Sequence, residues 1–196
     1  MIFTSKIKLA LERATTLHDG QYRKDGSTPY IAHPVAVAMI LAQYTSDEDI
    51  ICAGLLHDVL EDVAGYFEQD MRVEFGDTIT DIVKGVTEPK DPNKDVSEQL
   101  PWREIKEKYM ENLRTAPSGS VMVAAADKIH NLESFISLIE REGKNTWKIF
   151  NSAPEERIWY FDQVLAIVAD RVENELVDKF RELNIQFQEA IATRSL

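Results

Sequence analysis

Ile50-Ile51-Cys52-Ala53-Gly54-Leu55-Leu56-His57-Asp58-Val59-Leu60-Glu61-Asp62 is the stretch on which the reading of this chain turns. A nearly unbroken apolar run leads straight into four ionisable side chains. Charges that follow such a run into a core need a partner, and for histidine with carboxylates the commonest partner is a divalent cation. A helix that leaves the core and turns polar would carry the same pattern. The ligand-type residues elsewhere in the chain favour the cation.

Thr45 and Glu48 are spaced as a capping box for a central helix over about Asp47 to Val63. Adjacent residues on a helix point about 100° apart, so His57 and Asp58 can share one ion at its flank. Glu61 and Asp62 follow one turn later. Helical side chains lean toward the N-terminus, so both carboxylates reach back toward the ion without having to bind it. That suits them to acid–base work on a metal-activated water.

Outward from this stretch the chain reads as helices with almost no strand signal. Ile7, Ala10, Leu11 and Ala14 place a first helix over about Thr4 to Leu17. A charged loop, Gly20 to Tyr30, precedes a second helix that starts near Pro34 and reaches about Ala42. Gly65 and Gly76 punctuate a looser region before a helix marked by Ile79, Ile82, Val83 and Val86. Residues 87–101 form a polar, proline-bearing loop over the surface or the site. Trp102, Ile105, Tyr109 and Leu113 give a helical stripe, read as core ahead of a pocket lining. Arg103 and Lys106 on it either reach phosphates or solvate a helix face. Ser118-Gly119-Ser120 opens a long helix that stops near Gly143. Ser152 and Glu155 form a second capping box for a last long segment carrying Ile158 to Leu176, and an amphipathic turn or helix reaches Ala192. The expectation is an all-α fold in one domain over 1–196.

Two further segments offer ligand-type residues, although His33 alone reads more often as a structural histidine than as a ligand. His33 sits in Tyr30-Ile31-Ala32-His33-Pro34, at the junction of loop and helix. Asp127 follows Val123-Ala124-Ala125-Ala126, again a charge at the end of an apolar run, with His130 and Asn131 on its face. His18-Asp19, the other His-Asp pair, ends an amphipathic helix and reads as structural. His130 either orients a neighbour or packs.

Composition excludes several classes. The chain has 196 residues, net charge −12 and one cysteine, Cys52. The acidic balance would repel nucleic-acid backbones. No stretch is long and apolar enough for a membrane span, and no secretory signal opens the chain. One cysteine allows neither an internal disulfide nor a cysteine-based zinc site. The expected location is the cytoplasm, and the oligomeric state is open.

Four segments resemble the HD-domain metal phosphohydrolases, and within them the hydrolase domain of RelA/SpoT proteins and its small stand-alone relatives. They are His18-Asp19-Gly20-Gln21-Tyr22-Arg23-Lys24, Pro29-Tyr30-Ile31-Ala32-His33-Pro34, His57-Asp58-Val59-Leu60-Glu61-Asp62 and Ala126-Asp127-Lys128-Ile129-His130-Asn131-Leu132. They stand in the family's order at similar spacing across about residues 1–170, leaving a helical extension over 171–196. The resemblance implies a compact HD-domain helix bundle around a central metal site. It implies that His33, His57, Asp58 and Asp127 hold one divalent ion, usually manganese. Glu61 and Asp62 would serve the water and the leaving group. Arg23, Lys24, Asn131 and Lys128 would contact a small-molecule nucleotide. The implied reaction removes pyrophosphate from the 3′ position of (p)ppGpp. No histidine lies between Asp58 and Asp127, which favours a single-metal site over the two-metal HD phosphodiesterases. Val63 replaces the family's usual threonine after the Glu-Asp pair, and the tryptophan-bearing stretches look like a bacterial side branch, so the substrate is less fixed than the chemistry. Alternatives are an HD hydrolase of another nucleotide and a non-catalytic, metal-stabilised nucleotide-binding module.

Overall fold

The computed structural model describes residues 3–24, 26–89, 100–149 and 153–194. Among them the protein is all α, with one isolated antiparallel bridge, Tyr22 to Pro29, closing the charged loop. The helices are α1 (Ser5–Leu17), α2 (Ala32–Tyr44), α3 (Glu48–Leu56), α4 (Val59–Asp62), α5 (Glu68–Val86), α6 (Trp102–Thr115), α7 (Ser118–Glu142), α8 (Pro154–Arg171) and α9 (Glu175–Arg194), with a 3-10 helix over Gly143–Ile149. None of the described helices is long and apolar enough to cross a membrane.

α3 and α7 are the core elements. Every residue from Ile50 to Leu56 is buried, and so is every residue from Val123 to Ile129 on α7. Helices without a polar face belong in an interior. α7 packs against α2, α3, α5, α8 and α9, while α1 and α2 cover α3. The approach is close. A Cβ on Gly54 would lie 2.5 Å from Leu41 Cδ1, so glycine there lets α2 and α3 touch.

Several boundaries differ from the sequence reading. The central helix is not continuous: α3 stops at Leu56, His57-Asp58 form a turn, and α4 is a separate four-residue helix. His57 Nδ1 lies 2.9 Å from the Gly54 carbonyl oxygen, an acceptor that a continuing helix would need for the main chain. Its cap is Asp47, whose side chain accepts from the Asp49 N–H, while Glu48 accepts from Thr4 Oγ1. The helix carrying Ile79 to Val86 is preceded by a further helical stretch from Glu68, and the two meet at a kink at Gly76, whose φ of 80° favours glycine. At α8 it is Glu156 that closes on the Ala153 N–H, at 3.1 Å; Ser152 lies outside the described residues. The last segment divides in two. Asn174 Oδ1 accepts the Leu176 N–H, and α9 then buries Leu176, Phe180, Leu183 and Phe187 on one face. Of the predicted 87–101 loop, residues 90–99 lie outside the described residues.

Candidate metal and phosphate site

The four predicted ligands arrive from three places in the chain. His33 stands in the first turn of α2, His57 and Asp58 in the α3–α4 turn, and Asp127 halfway along α7. His33, His57 and Asp58 each offer a ligand atom within 4.8 Å of the others. Asp127 comes to the same point, its Oδ1 3.1 Å from His33 Nε2. The α3–α4 turn aims His57 and Asp58 together: His57 Nε2 lies 3.2 Å from Asp58 Oδ1, and His33 Nε2 lies 3.5 Å from Asp58 Oδ2.

The ring nitrogens are set for a cation. His57 Nδ1 donates to the Gly54 carbonyl, which leaves Nε2 as the ring's ligand position, buried and 3.2 Å from Asp58 Oδ1. His33 Nδ1 lies 2.8 Å from His130 Nδ1. One proton serves that contact. With His33 as donor there, its Nε2 faces the two aspartates. His130 is pushed down to about 4, by burial first and then by His33 and Arg23, and so stays neutral to accept. His130 therefore orients His33, the behind-the-ligand hydrogen bond expected of a metal-binding histidine. These donors fit a divalent cation.

The carboxylates are held ionised. Burial alone, the largest influence, would raise Asp58, but His57 and His33 outweigh it and the group sits below its usual value. Asp127 behaves likewise, with Lys128 and His33 overcoming burial to hold it well below the usual range. Burial would also lower Lys128, yet Asp127, Tyr109 and Tyr160 hold it well above normal.

A cavity of about 630 Å³ opens over this cluster. Glu61 and Asp62 line it, as do Arg23, Lys24, Lys128 and Asn131. Arg23 and Lys24 stand on the loop between α1 and α2, with Arg23 Cζ 5.7 Å from the Tyr30 ring centroid. Lys128 and Asn131 both point at Asp127: Lys128 Nζ is 2.5 Å from Oδ2, and Asn131 Nδ2 is 2.6 Å from Oδ1. His18 is buried, with Nδ1 2.7 Å from Gln21 Oε1 and its ring against Tyr30, in keeping with a structural role. Gln21 in turn donates to the Asp62 main-chain oxygen, tying the loop to α4.

Sequence reasoning passed over Tyr30. Its hydroxyl reaches Asp58 Oδ2 at 2.7 Å and Asp62 Oδ2 at 3.0 Å, bridging a ligand candidate to an acid–base candidate. A tyrosine three residues before His33 was the only available signal. Arg157 and Tyr160 from α8 also line the cavity, and only packing could bring them there. The Trp102 stripe divides. Tyr109 lines the cavity, whereas Trp102 packs edge-on against Trp159 and Tyr160. Arg103 stacks on Trp159 with Cζ 3.1 Å from the ring centroid and pairs with Glu107.

The chain is 38% identical over 131 residues to the guanosine-3′,5′-bis(diphosphate) 3′-pyrophosphohydrolase of Haemophilus influenzae, covering 64% of this chain and 18% of that protein. It is 36% identical over 139 residues to the bifunctional (p)ppGpp synthase/hydrolase SpoT of Escherichia coli, covering 68% of this chain and again 18% of the relative. The chain thus spans less than a fifth of the length of either. Among solved structures, a metazoan ortholog of SpoT that hydrolyses ppGpp superposes with a TM-score of 0.68 at 26% identity, covering 100% of this chain and 99% of that one. Residues 10–153 match the family described as HD domain, and this chain belongs to that family.

Proposed function

We propose that the protein is a metal-dependent phosphohydrolase that removes the 3′-pyrophosphate of (p)ppGpp, giving GDP or GTP and pyrophosphate. The observation that carries this reading is that Glu61 and Asp62 open on the same cavity as the His33, His57, Asp58 and Asp127 cluster. A pure binding module has no use for an acid–base pair beside its ligands. Support for the substrate comes from the relatives, and above all from the metazoan ppGpp hydrolase that matches along the whole chain.

In this reading His33, His57, Asp58 and Asp127 hold one divalent ion, manganese. Such an ion supplies Lewis-acid charge and makes a water nucleophilic near neutral pH. Arg23 and Lys24 receive the phosphates on an otherwise acidic protein. Lys128 keeps Asp127 ionised and, with Asn131, fixes its orientation. One of Glu61 and Asp62 takes a proton from the attacking water as its oxygen joins the phosphorus nearest the ribose. The bond from that phosphorus to the 3′ oxygen breaks, and the other carboxyl returns a proton to the 3′ oxygen. Tyr30 keeps Asp62 aligned with the ligand set through its shared hydrogen bond.

The test is to incubate the manganese-loaded protein with a panel of ppGpp, pppGpp, nucleoside monophosphates and phosphorylated dinucleotides, and to measure pyrophosphate against phosphate. Pyrophosphate from the first two is the expected result. Phosphate from another member moves the substrate, and no turnover of any member sinks the hydrolase. Glu61→Gln and Asp62→Asn should each bind metal and nucleotide yet turn over at least ~100-fold more slowly.

A further inference from the structure

Lys106 does not solvate a helix face. It projects inward from α6, its side chain 12% exposed, and its ammonium pairs with the Glu88 carboxylate, itself 9% exposed. Two aromatic faces flank the ammonium, Tyr160 at 5.0 Å and Trp102 at 5.6 Å. A buried lysine is stable in such a place only with its counter-charge, so the pair fixes both partners.

Glu88 matters through its main chain. It follows α5 by two residues, and its N–H donates to Glu61 Oε2 at 3.1 Å. Glu61 itself stands on α4, a helix of four residues. One turn of helix has little stability of its own and takes its position from what surrounds it. The carboxylate therefore depends on where the segment after α5 lies. That segment is pinned to α6 by Lys106.

We propose that Lys106 and Glu88 form a positioning pair for Glu61: the buried ion pair holds the Glu88 N–H where it fixes one oxygen of the Glu61 carboxylate at the cavity wall. Lys106 is then a positioning residue rather than a phosphate ligand, although it lines the cavity. The kinetic consequence rests on the hydrolase reading above; the structural one does not.

Two measurements separate these. Amide hydrogen exchange at Glu88 reads the contact without substrate. Glu61→Ala and Lys106→Met should each speed exchange there, while amides on α9 keep their protection. Unchanged exchange at Glu88 in both variants overturns the pair. Steady-state kinetics on ppGpp at saturating manganese reads the role. Lys106→Met and Glu88→Gln should each lower kcat roughly 10-fold or more, part of the 10²–10⁴ typical of an acid–base group. KM and metal content should stay at wild-type values, and Lys106→Arg should recover much of kcat. A raised KM for Lys106→Met with Glu88→Gln silent would make Lys106 a phosphate contact and overturn the proposal. Should Lys106→Met not fold, Glu88→Gln breaks the ion pair from its other side and carries the same test. If the wild type turns over no nucleotide, the hydrolase reading falls and the exchange result still decides the pair.

Discussion

Replacing Tyr30 with Phe removes one oxygen from the junction of two carboxylates. The hydroxyl lies 2.7 Å from Asp58 Oδ2 and 3.0 Å from Asp62 Oδ2, and it has one proton to give. Burial, followed by those two aspartates, holds the phenol far above its ordinary value, so it remains a donor at any assay pH. One hydrogen bond to a charged acceptor is therefore lost, worth about 1.5–3 kcal/mol. At 1.4 kcal/mol per tenfold, that is roughly 10- to 100-fold in whatever equilibrium or rate depends on it. The ring survives the substitution and keeps its contacts with His18 at 4.9 Å and His33 at 6.1 Å. Typical folding stabilities of about 5–15 kcal/mol can absorb the loss, so the variant should fold. Manganese should bind about 10- to 100-fold more weakly, because Asp58 loses the group behind it. The same single proton also serves Asp62, so any fall in kcat at saturating metal is a share of that roughly 10- to 100-fold and not an addition to it. Metal titration by calorimetry and initial rates on ppGpp measure both. A folded Tyr30→Phe protein with wild-type metal affinity and wild-type kcat would refute the bridging role.

Other outcomes follow from the same geometry. Asp127→Ala should abolish metal binding and also destabilise the metal-free protein by about 3–5 kcal/mol, since it strands buried Lys128 without its counter-charge; a denaturant titration with full metal occupancy would contradict it. His57→Ala should likewise lose metal, since its ring offers one of the clustered ligand atoms. The pH dependence has a definite sign. His130 is depressed from 6.5 to about 4 in the folded protein, so the unfolded chain binds the extra proton between those values. Metal-free stability should be full above about pH 6.5 and decline as pH falls toward 4, and His130→Gln should flatten that decline in urea midpoints. Replacing Arg23 and Lys24 together with Ala should raise KM strongly and leave manganese content unchanged; unaltered kinetics would reduce that loop to a solvated turn.

The amino-acid sequence by itself determined the all-α class, because apolar residues at helical spacing recur through Ile7, Ala10 and Ala14, through Ile79, Ile82 and Val83, and along α7. It also determined which side chains gather. Asp127 after three alanines and His57-Asp58 after seven residues without a charge have nowhere to go but inward, and a buried charge announces its partners by chemistry. The tertiary structure decided the rest for reasons of position. Whether His57-Asp58 continue a helix or turn depends on the Gly54 carbonyl, an acceptor that either the helix or the imidazole can claim. Whether Lys106 faces solvent, phosphate or Glu88 depends on how α6 is rotated against α8, and helical periodicity places Lys106 beside the Trp102 stripe without saying what it meets there. The Tyr30 bridge, the His130 support of His33 and the Glu88 hold on Glu61 join residues 28, 97 and 27 positions apart. Local pattern carries no signal at such separations; contacts of that length exist only once the helices have packed.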